Sequence, residues 1–258
     1  MTIVTEPIPT TDAGGALIGY NNLLTSATIV GDSSVPLKAL IPNTWERWRP
    51  TATTTTAKFQ MSSAANVNYI AIAAHNLSGE TITVQTAATI GGALTTVATW
   101  TPTDNRPIME VITDAVIQEV ALVMTLAAAN EIGVVYAGEL LAMPRAIYGG
   151  HSPIGLSQQT KYQSVSSESG QFLGRTITRE GLESSFQWQL LDPAWYRSTF
   201  QPFVLSARRK PFFIKWRPDS YGDEVAFGHT DSDIKPSNMG GGHSLMSVSL
   251  KMRAHSDV

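Results

Sequence analysis

The sequence predicts a mainly β protein, with a jelly-roll β-sandwich over residues 1–147 and a second β-rich domain with one amphipathic helix over residues 148–258. Short segments that alternate apolar and polar residues, or are apolar throughout, recur between turn-forming residues. No region shows the strand–helix–strand order of a parallel sheet. Two glycines, a Ser-Pro pair and a third glycine follow one another in YGGHSPIG, residues 148–155, which predicts the domain boundary.

The first half contains the segments expected to form the sandwich. The stretch YIAIAAHNL is apolar and small, which predicts a buried strand. In ETITVQTAA, Ile82 and Val84 alternate with polar residues, which is the period of a half-buried strand. LTTVATW follows, and the turn residues of TPTDNRP separate it from VIQEVALVMTL. That segment is long enough for a helix or a strand, but its β-branched residues favour a strand, and VVYAGELLAMPR closes the half.

The second half alternates again and then changes period. Phe186 and Trp188 alternate with polar residues in a predicted strand. Asp192 followed by proline predicts a helix N-cap, and Pro202 is expected to kink or split the helix that follows. Pro211 ends that helix, after which FFIKW and SLMSVSLKMRAH predict a core strand and a last half-buried strand.

Composition and charge exclude several classes of function. The 258 residues include no cysteine, which removes thiol nucleophiles, disulfides and cysteine-held metal clusters. Charged residues make up 15%, against roughly 25% in an average soluble protein. The halves differ, with six Lys/Arg against eleven Asp/Glu in residues 1–150 and twelve against ten in residues 151–258. Neither half is basic enough to predict sequence-specific nucleic-acid binding, and no apolar run predicts membrane insertion.

No catalytic, cofactor or metal motif is present, so we expect a protein that is not an enzyme and carries no cofactor. Glu180 and Glu183 are the nearest pair for a glycoside hydrolase, but on one strand they would face opposite sides. The segment HTDSD, residues 229–233, fits a solvated acidic turn better than a cation site. The glycine run at residues 240–243 predicts a flexible connector, and residues 1–15 lack the pattern of a signal peptide.

Two pairs of residues are candidates for glycan contact. His75 and Asn76 end a buried strand, where they would either hold a sugar hydroxyl on the rim of the sandwich or cap the turn that follows. Trp45 and Trp48 would either form a platform for a sugar ring, or have one ring buried and the other packed against an arginine. In both pairs the residue types favour the structural alternative.

The densest basic and aromatic stretch is ARRKPFFIKWRP, residues 207–218. Interleaved basic and aromatic residues occur in nucleic-acid contacts, but neighbouring acidic residues weaken the field here. Because Arg and Trp commonly anchor protein interfaces, we predict a subunit interface that uses Trp195, Arg208, Arg209 and Lys210.

Residues 148–255 resemble distal-tail or minor tail proteins at the tail tip of long-tailed bacteriophages and prophages. The resemblance is carried by QFLGR at residues 171–175, by AWYR and PFV within residues 194–204, and by PFFI, WRP and DEV within residues 211–225. The first half, with NYIAIAAHNLSG and YAGELLAMPR, is similar to galactose-binding-like jelly rolls found beside such domains. The second half is accordingly expected to have a tail-tube-like fold.

The resemblance implies a structural protein of the virion, made in the host bacterial cytoplasm. It would form a homo-oligomeric ring of three or six copies. Its partners would be the tail tube protein, the hub or fibre proteins and the tape-measure protein. The rival function is a carbohydrate-binding module that attaches the particle to cell-surface glycan. The absence of cysteine departs from the tail-tip proteins that hold an iron–sulfur cluster.

Overall fold

The computed structural model describes residues 15–126, 130–240 and 245–255. The signal-peptide prediction falls on residues outside these ranges, as does most of the predicted glycine connector. The mainly β fold is confirmed, with strands forming 51% of the residues that the structure describes. The strands of the first half are β1 (Leu17–Gly19), β2 (Leu24–Val30), β3 (Thr54–His75), β4 (Thr81–Ala87), β5 (Thr95–Trp100), β6 (Ile108–Thr125), β7 (Ile132–Gly138) and β8 (Leu141–Ala142). Those of the second half are β9 (Lys161–Ser166), β10 (Phe172–Arg179), β11 (Leu182–Leu191), β12 (Phe212–Lys215), β13 (Val225–Thr230), β14 (Pro236–Asn238) and β15 (Met246–Ala254).

Strands β2 to β7 form the jelly-roll sandwich, which confirms the predicted architecture of the first half. The long strands β3 and β6 pair along most of their length, and each contributes to both layers. The first part of β3 pairs with β2, and its last part pairs with β7. Irregular register in the β3–β6 pairing, between Gln60 and Ala65 and between Val67 and Tyr69, lets the strands bend from one layer to the other.

A second antiparallel sheet has the strand order β11-β15-β13-β12-β1-β8, with β14 beside β15. Strand β1, near the start of the chain, pairs with β12, so that Ile18 lies opposite Ile214. Strand β8 pairs with β1. Strands from both sides of residue 147 therefore share this sheet, and the domain boundary there stays a prediction.

The sandwich and the second sheet stack face to face. The middle core lies between them and contains Leu17, Tyr69, Ala71, Ala73, Met109, Val134, Tyr136, Phe213, Val225 and Phe227. Alternation along β12 explains the layering, because Phe213 enters the middle core while Phe212 and Ile214 enter the core on the other side of the sheet. Burial raises the pKa of Glu110 and lowers that of Lys215, and the attraction between the two charges opposes both shifts.

The small apolar stretch of β3 fits its place between two cores. Ile70 and Ile72 point into the sandwich core, whereas Tyr69, Ala71 and Ala73 point into the middle core. Alanine on the second face lets the second sheet approach closely. A strand buried on both faces must be apolar at every position, and this explains why the sequence shows no alternation there.

One helix of 15 residues covers the outer face of the second sheet. It consists of α1 (Pro193–Trp195), the π-helical segment Tyr196–Phe200 and α2 (Gln201–Ala207). The Asp192 carboxylate accepts hydrogen bonds from the N–H groups of Ala194 and Trp195, at 2.5 and 3.2 Å, so the predicted N-cap is confirmed. The helix is irregular where Pro202 is expected to kink or split it, because the π-helical segment ends at Phe200 and α2 begins at Gln201. The π-helical turn just before α2 accommodates a residue that has no N–H to donate.

Strands β9 and β10 form a separate two-stranded sheet, here called the ribbon. Nearly all of its residues are exposed, including Tyr162, Val165, Phe172, Leu173 and Ile177. Tyr162 lies opposite Ile177, and the Arg175 guanidinium lies 4.2 Å from the centre of the Tyr162 ring. A two-stranded sheet alone is at best marginally stable in water. A partner that covered this ribbon would bury much of its exposed apolar area.

Candidate functional site

His75 and Asn76 have structural surroundings. His75 is 1% exposed, its Nε2 lies 2.8 Å from the Arg106 carbonyl, and its Nδ1 accepts a hydrogen bond from the Leu77 N–H. Asn76 accepts a hydrogen bond of 2.6 Å from the Glu131 N–H. The predicted glycan contact at His75 is therefore corrected, because the buried ring offers no face or edge to a ligand.

The two tryptophans have different environments. Trp48 is 1% exposed, its Nε1 donates to the Ser34 hydroxyl at 2.8 Å, and its backbone pairs with that of Ile132. It is a core residue, so the predicted glycan contact at Trp48 is corrected as well. Trp45 is 90% exposed, and the glycan contact at this residue stays a prediction.

The loop that carries Trp45 is held on both sides. The Asn43 side-chain oxygen accepts hydrogen bonds from the N–H groups of Trp45 and Glu46, at 3.1 and 2.8 Å. On the other side, Arg49 forms an ion pair of 2.8 Å with Glu131, directly after the buried Trp48. The exposed ring thus stands on a fixed backbone, which lowers the entropy cost of using it for binding.

The basic residues of the predicted interface line a concave surface. Arg208, Arg209 and Lys210, directly after the helix, are exposed on one wall of an open cleft of about 860 Å³. The base of the ribbon, at Lys161 and Arg179, lines the same cleft. Trp195 is half-buried against Phe200 and is absent from the lining, so the cleft does not include all four residues of the predicted interface. That interface stays a prediction.

The cleft is strongly basic. Its lining contains six Lys or Arg side chains and two carboxylates. The cations are Lys161, Arg179, Arg208, Arg209, Lys210 and Arg253. Arg208 pairs with Asp233 at 3.4 Å, and Arg253 pairs with Glu183 at 3.4 Å and with Asp231 at 2.6 Å. Within the described ranges, the other four cations have no carboxylate partner.

The two carboxylates of the cleft are Glu180 and Glu183. Both line it, contrary to the prediction that they face opposite sides, because Glu180 precedes β11 and lies in the turn. The hydrogen bond from Lys251, at 2.6 Å, is the main cause that lowers the pKa of Glu183, and Arg253 adds to it. A glycosidase general acid requires the opposite shift.

The acidic turn at residues 229–233 does not gather a cation site. Asp231 and Asp233 are directed to Arg253 and Arg208. Across the described part of the chain, no group of three or more His, Asp or Glu side chains is placed to hold a metal ion. No helix in those same ranges is long and apolar enough to cross a membrane.

Comparisons with known proteins bear on the sandwich. No protein-family model and no curated protein matches the chain. The fold is similar to that of a pectin-binding carbohydrate-binding module, at 11% identity and a TM-score of 0.40 over 46% of this chain and 93% of that one. It is also similar to chitosan-binding module 1 of a chitosanase/glucanase from Paenibacillus sp. IK-5, at 16% identity and a TM-score of 0.41 over 46% and 99%.

A third similar structure is the family 32 module of Clostridium perfringens NanJ in complex with galactose, at 15% identity and a TM-score of 0.37 over 43% of this chain and 91% of that one. These neighbours are galactose-binding-like jelly rolls. Likeness at this level concerns the fold and carries no argument about ligand or activity.

The sequence alone does not predict the cleft. Its wall includes the predicted Arg-Arg-Lys run, but the rest comes from residues 42–44, 159–161, 179–183, 227–230 and 253–255. No local pattern joins these segments. The one signal in the sequence is the basic run itself, which predicts a subunit interface rather than a cleft.

Proposed function

We propose that this chain is a non-enzymatic structural protein of a bacteriophage tail tip. It closes into a homo-oligomeric ring that joins the tail tube to the hub or fibre proteins. The resemblance of residues 148–255 to tail-tip proteins supports this proposal, and the exposed ribbon is the observation that carries it.

The ribbon supports self-association for a physical reason. Phe172 and Leu173 are consecutive residues of β10, and they are 65% and 64% exposed. Burial of a large apolar side chain contributes about 1.5–3 kcal/mol. A second copy that covers the ribbon would stabilise both the contact and the ribbon itself. A contact between different patches of neighbouring copies closes into a ring when the rotation allows it.

The ribbon variant Phe172→Ser/Leu173→Ser tests this function. We expect the wild-type chain to form rings of three or six copies by light scattering and negative-stain imaging, and the variant to remain monomeric. Because both side chains are exposed, the variant should retain the circular dichroism spectrum of the wild type. Ile90→Ser is the matched control, since Ile90 is also an exposed apolar residue but lies in the sandwich, between β4 and β5. A wild-type chain that stays monomeric at every concentration, or a ribbon variant that still forms rings, would contradict the proposal.

Carbohydrate binding is the second candidate function. The observation that favours it is the ring of Trp45, which is 90% exposed and is held on a hydrogen-bonded loop beside the cleft. Aromatic faces with this exposure are suited to stacking on pyranose rings. A panel of immobilised glycans tests the candidate. We expect wild-type binding that Trp45→Phe retains and Trp45→Ala loses, and an absence of binding at about millimolar sugar would exclude it.

A further inference from the structure

We propose that the cleft beside Trp45 binds an acidic glycan, a chain of pyranose rings that carry carboxylate groups. This inference rests on the second proposed function, carbohydrate binding, and names the class of sugar. It also places the ligand away from the His75 rim, at the junction of the sandwich loop, the ribbon base and the end of the helix.

The charge of the cleft favours an acidic ligand. Lys161, Arg179, Arg209 and Lys210 converge on the cleft without carboxylate partners among the described residues. Of the two lining carboxylates, Glu183 is already held by Lys251 and Arg253. A concave surface lined by one sign of charge concentrates ligands of the opposite sign. Arginine is also suited to bidentate contact with a planar carboxylate.

The polar side chains that line the cleft suit a sugar. Asn43, Thr44, Gln159 and Thr160 also line the cleft, and their amides and hydroxyls match the donors and acceptors of a sugar. The volume of about 860 Å³ falls within the ~300–1,000 Å³ of typical ligand sites.

The position of Trp45 favours a sugar over other polyanions as the ligand. Trp45 directly follows Thr44, so its Cα is about 3.8 Å from that of a lining residue. Phe227, the aromatic ring within the lining, is buried. Single-stranded nucleic acid stacks successive bases on several aromatic side chains, whereas one exposed ring beside a set of cations suits one pyranose and its charged neighbours.

Calorimetric titration of the full chain with tetragalacturonic acid tests the inference. The reference ligand is its methyl ester, which has the same rings without the charges, and an oligo-dT of similar charge serves as a polyanion without pyranose rings. We expect the ester to bind at least about ten-fold more weakly than the acid, because two charge-assisted hydrogen bonds are lost. Arg209→Gln/Lys210→Gln should weaken binding of the acid by about ten-fold or more. Trp45→Ala should weaken the binding of the acid and the binding of the ester to the same extent.

Lys38→Gln/Lys235→Gln is the charge-matched control, because both lysines are exposed and lie outside the cleft. It should change the affinity by less than about two-fold. Equal affinity for acid and ester would overturn the acidic specificity but leave carbohydrate binding standing. Binding of neither sugar would overturn both. Binding of oligo-dT as tightly as the acid, with no effect of Trp45→Ala, would show a general polyanion surface and overturn the glycan assignment.

Discussion

Replacing Gly228 with alanine is expected to destabilise the second sheet severely. An added Cβ at this position would lie 2.0 Å from the Arg253 carbonyl oxygen and 2.7 Å from the Ala254 Cα. Both are backbone atoms of β15, so no side chain can turn away. Gly228 also pairs with Phe212 on its other side, which leaves its strand little room to shift. We expect a loss of about 3 kcal/mol or more in the free energy of unfolding, and a fall in Tm of roughly 10 °C.

Gly155→Ala is the matched control for this substitution. Nothing lies within 4 Å of a Cβ built there, and its φ is not in the positive range. Alanine at such a site restricts the unfolded chain, so the control should be neutral or more stable by about 0.5 kcal/mol. The measurement is chemical denaturation of both variants beside the wild type. Because Gly228 also lines the cleft, its variant should lose ligand affinity together with stability. A Gly228→Ala chain as stable as the control would show that β13 and β15 do not approach as closely as the structure has them.

The parts of the fold that the sequence predicted are those set by local chemistry. Ile82 and Val84 are buried and alternate with residues that are not, and Phe186 and Trp188 do the same, because one face of each strand meets a core. The Asp192 cap follows from side-chain geometry within three residues. Pairings between distant segments leave no such local mark. Strand β1 lies in the first half of the sequence, yet it pairs with β12, which is almost two hundred residues further along the chain.

The candidate site was predictable only in part, for the same reason. Exposure separates Trp45 from Trp48, although the two tryptophans lie only three residues apart in one short loop. The turn at Asn43 and the pairing of Trp48 with Ile132 decide which ring is buried, and the second of these contacts is non-local. His75 was a candidate because a histidine at a strand end can face solvent. The Arg106 carbonyl that covers it comes from another loop.

Removing the Phe213 ring is expected to weaken the whole chain, because the middle core joins the sandwich to the second sheet. Phe213 is fully buried, with its ring 5.4 Å from that of Tyr136 in the sandwich and 4.6 Å from that of Phe227 in its own sheet. A Phe→Ala change in such a site costs about 3–5 kcal/mol, through lost burial and the cavity that remains. Tyr136 also donates a hydrogen bond to the Pro211 carbonyl at 3.2 Å, so the cavity would disturb a second link between the layers.

Phe212→Ala separates coupling from simple loss of core. Phe212 is the next residue and is equally buried, but it faces the core beneath the helix, on the far side of the sheet from the sandwich. Both variants should lose similar stability in the second sheet. Only Phe213→Ala should also loosen the sandwich, visible as faster hydrogen exchange in β3 and β7, whose Ala71, Val134 and Tyr136 face the cavity. Equal exchange in these two strands for both variants would mean that the sandwich is stable on its own. The layers would then act as independent domains, with the ligand loop on one and the basic wall of the cleft on the other.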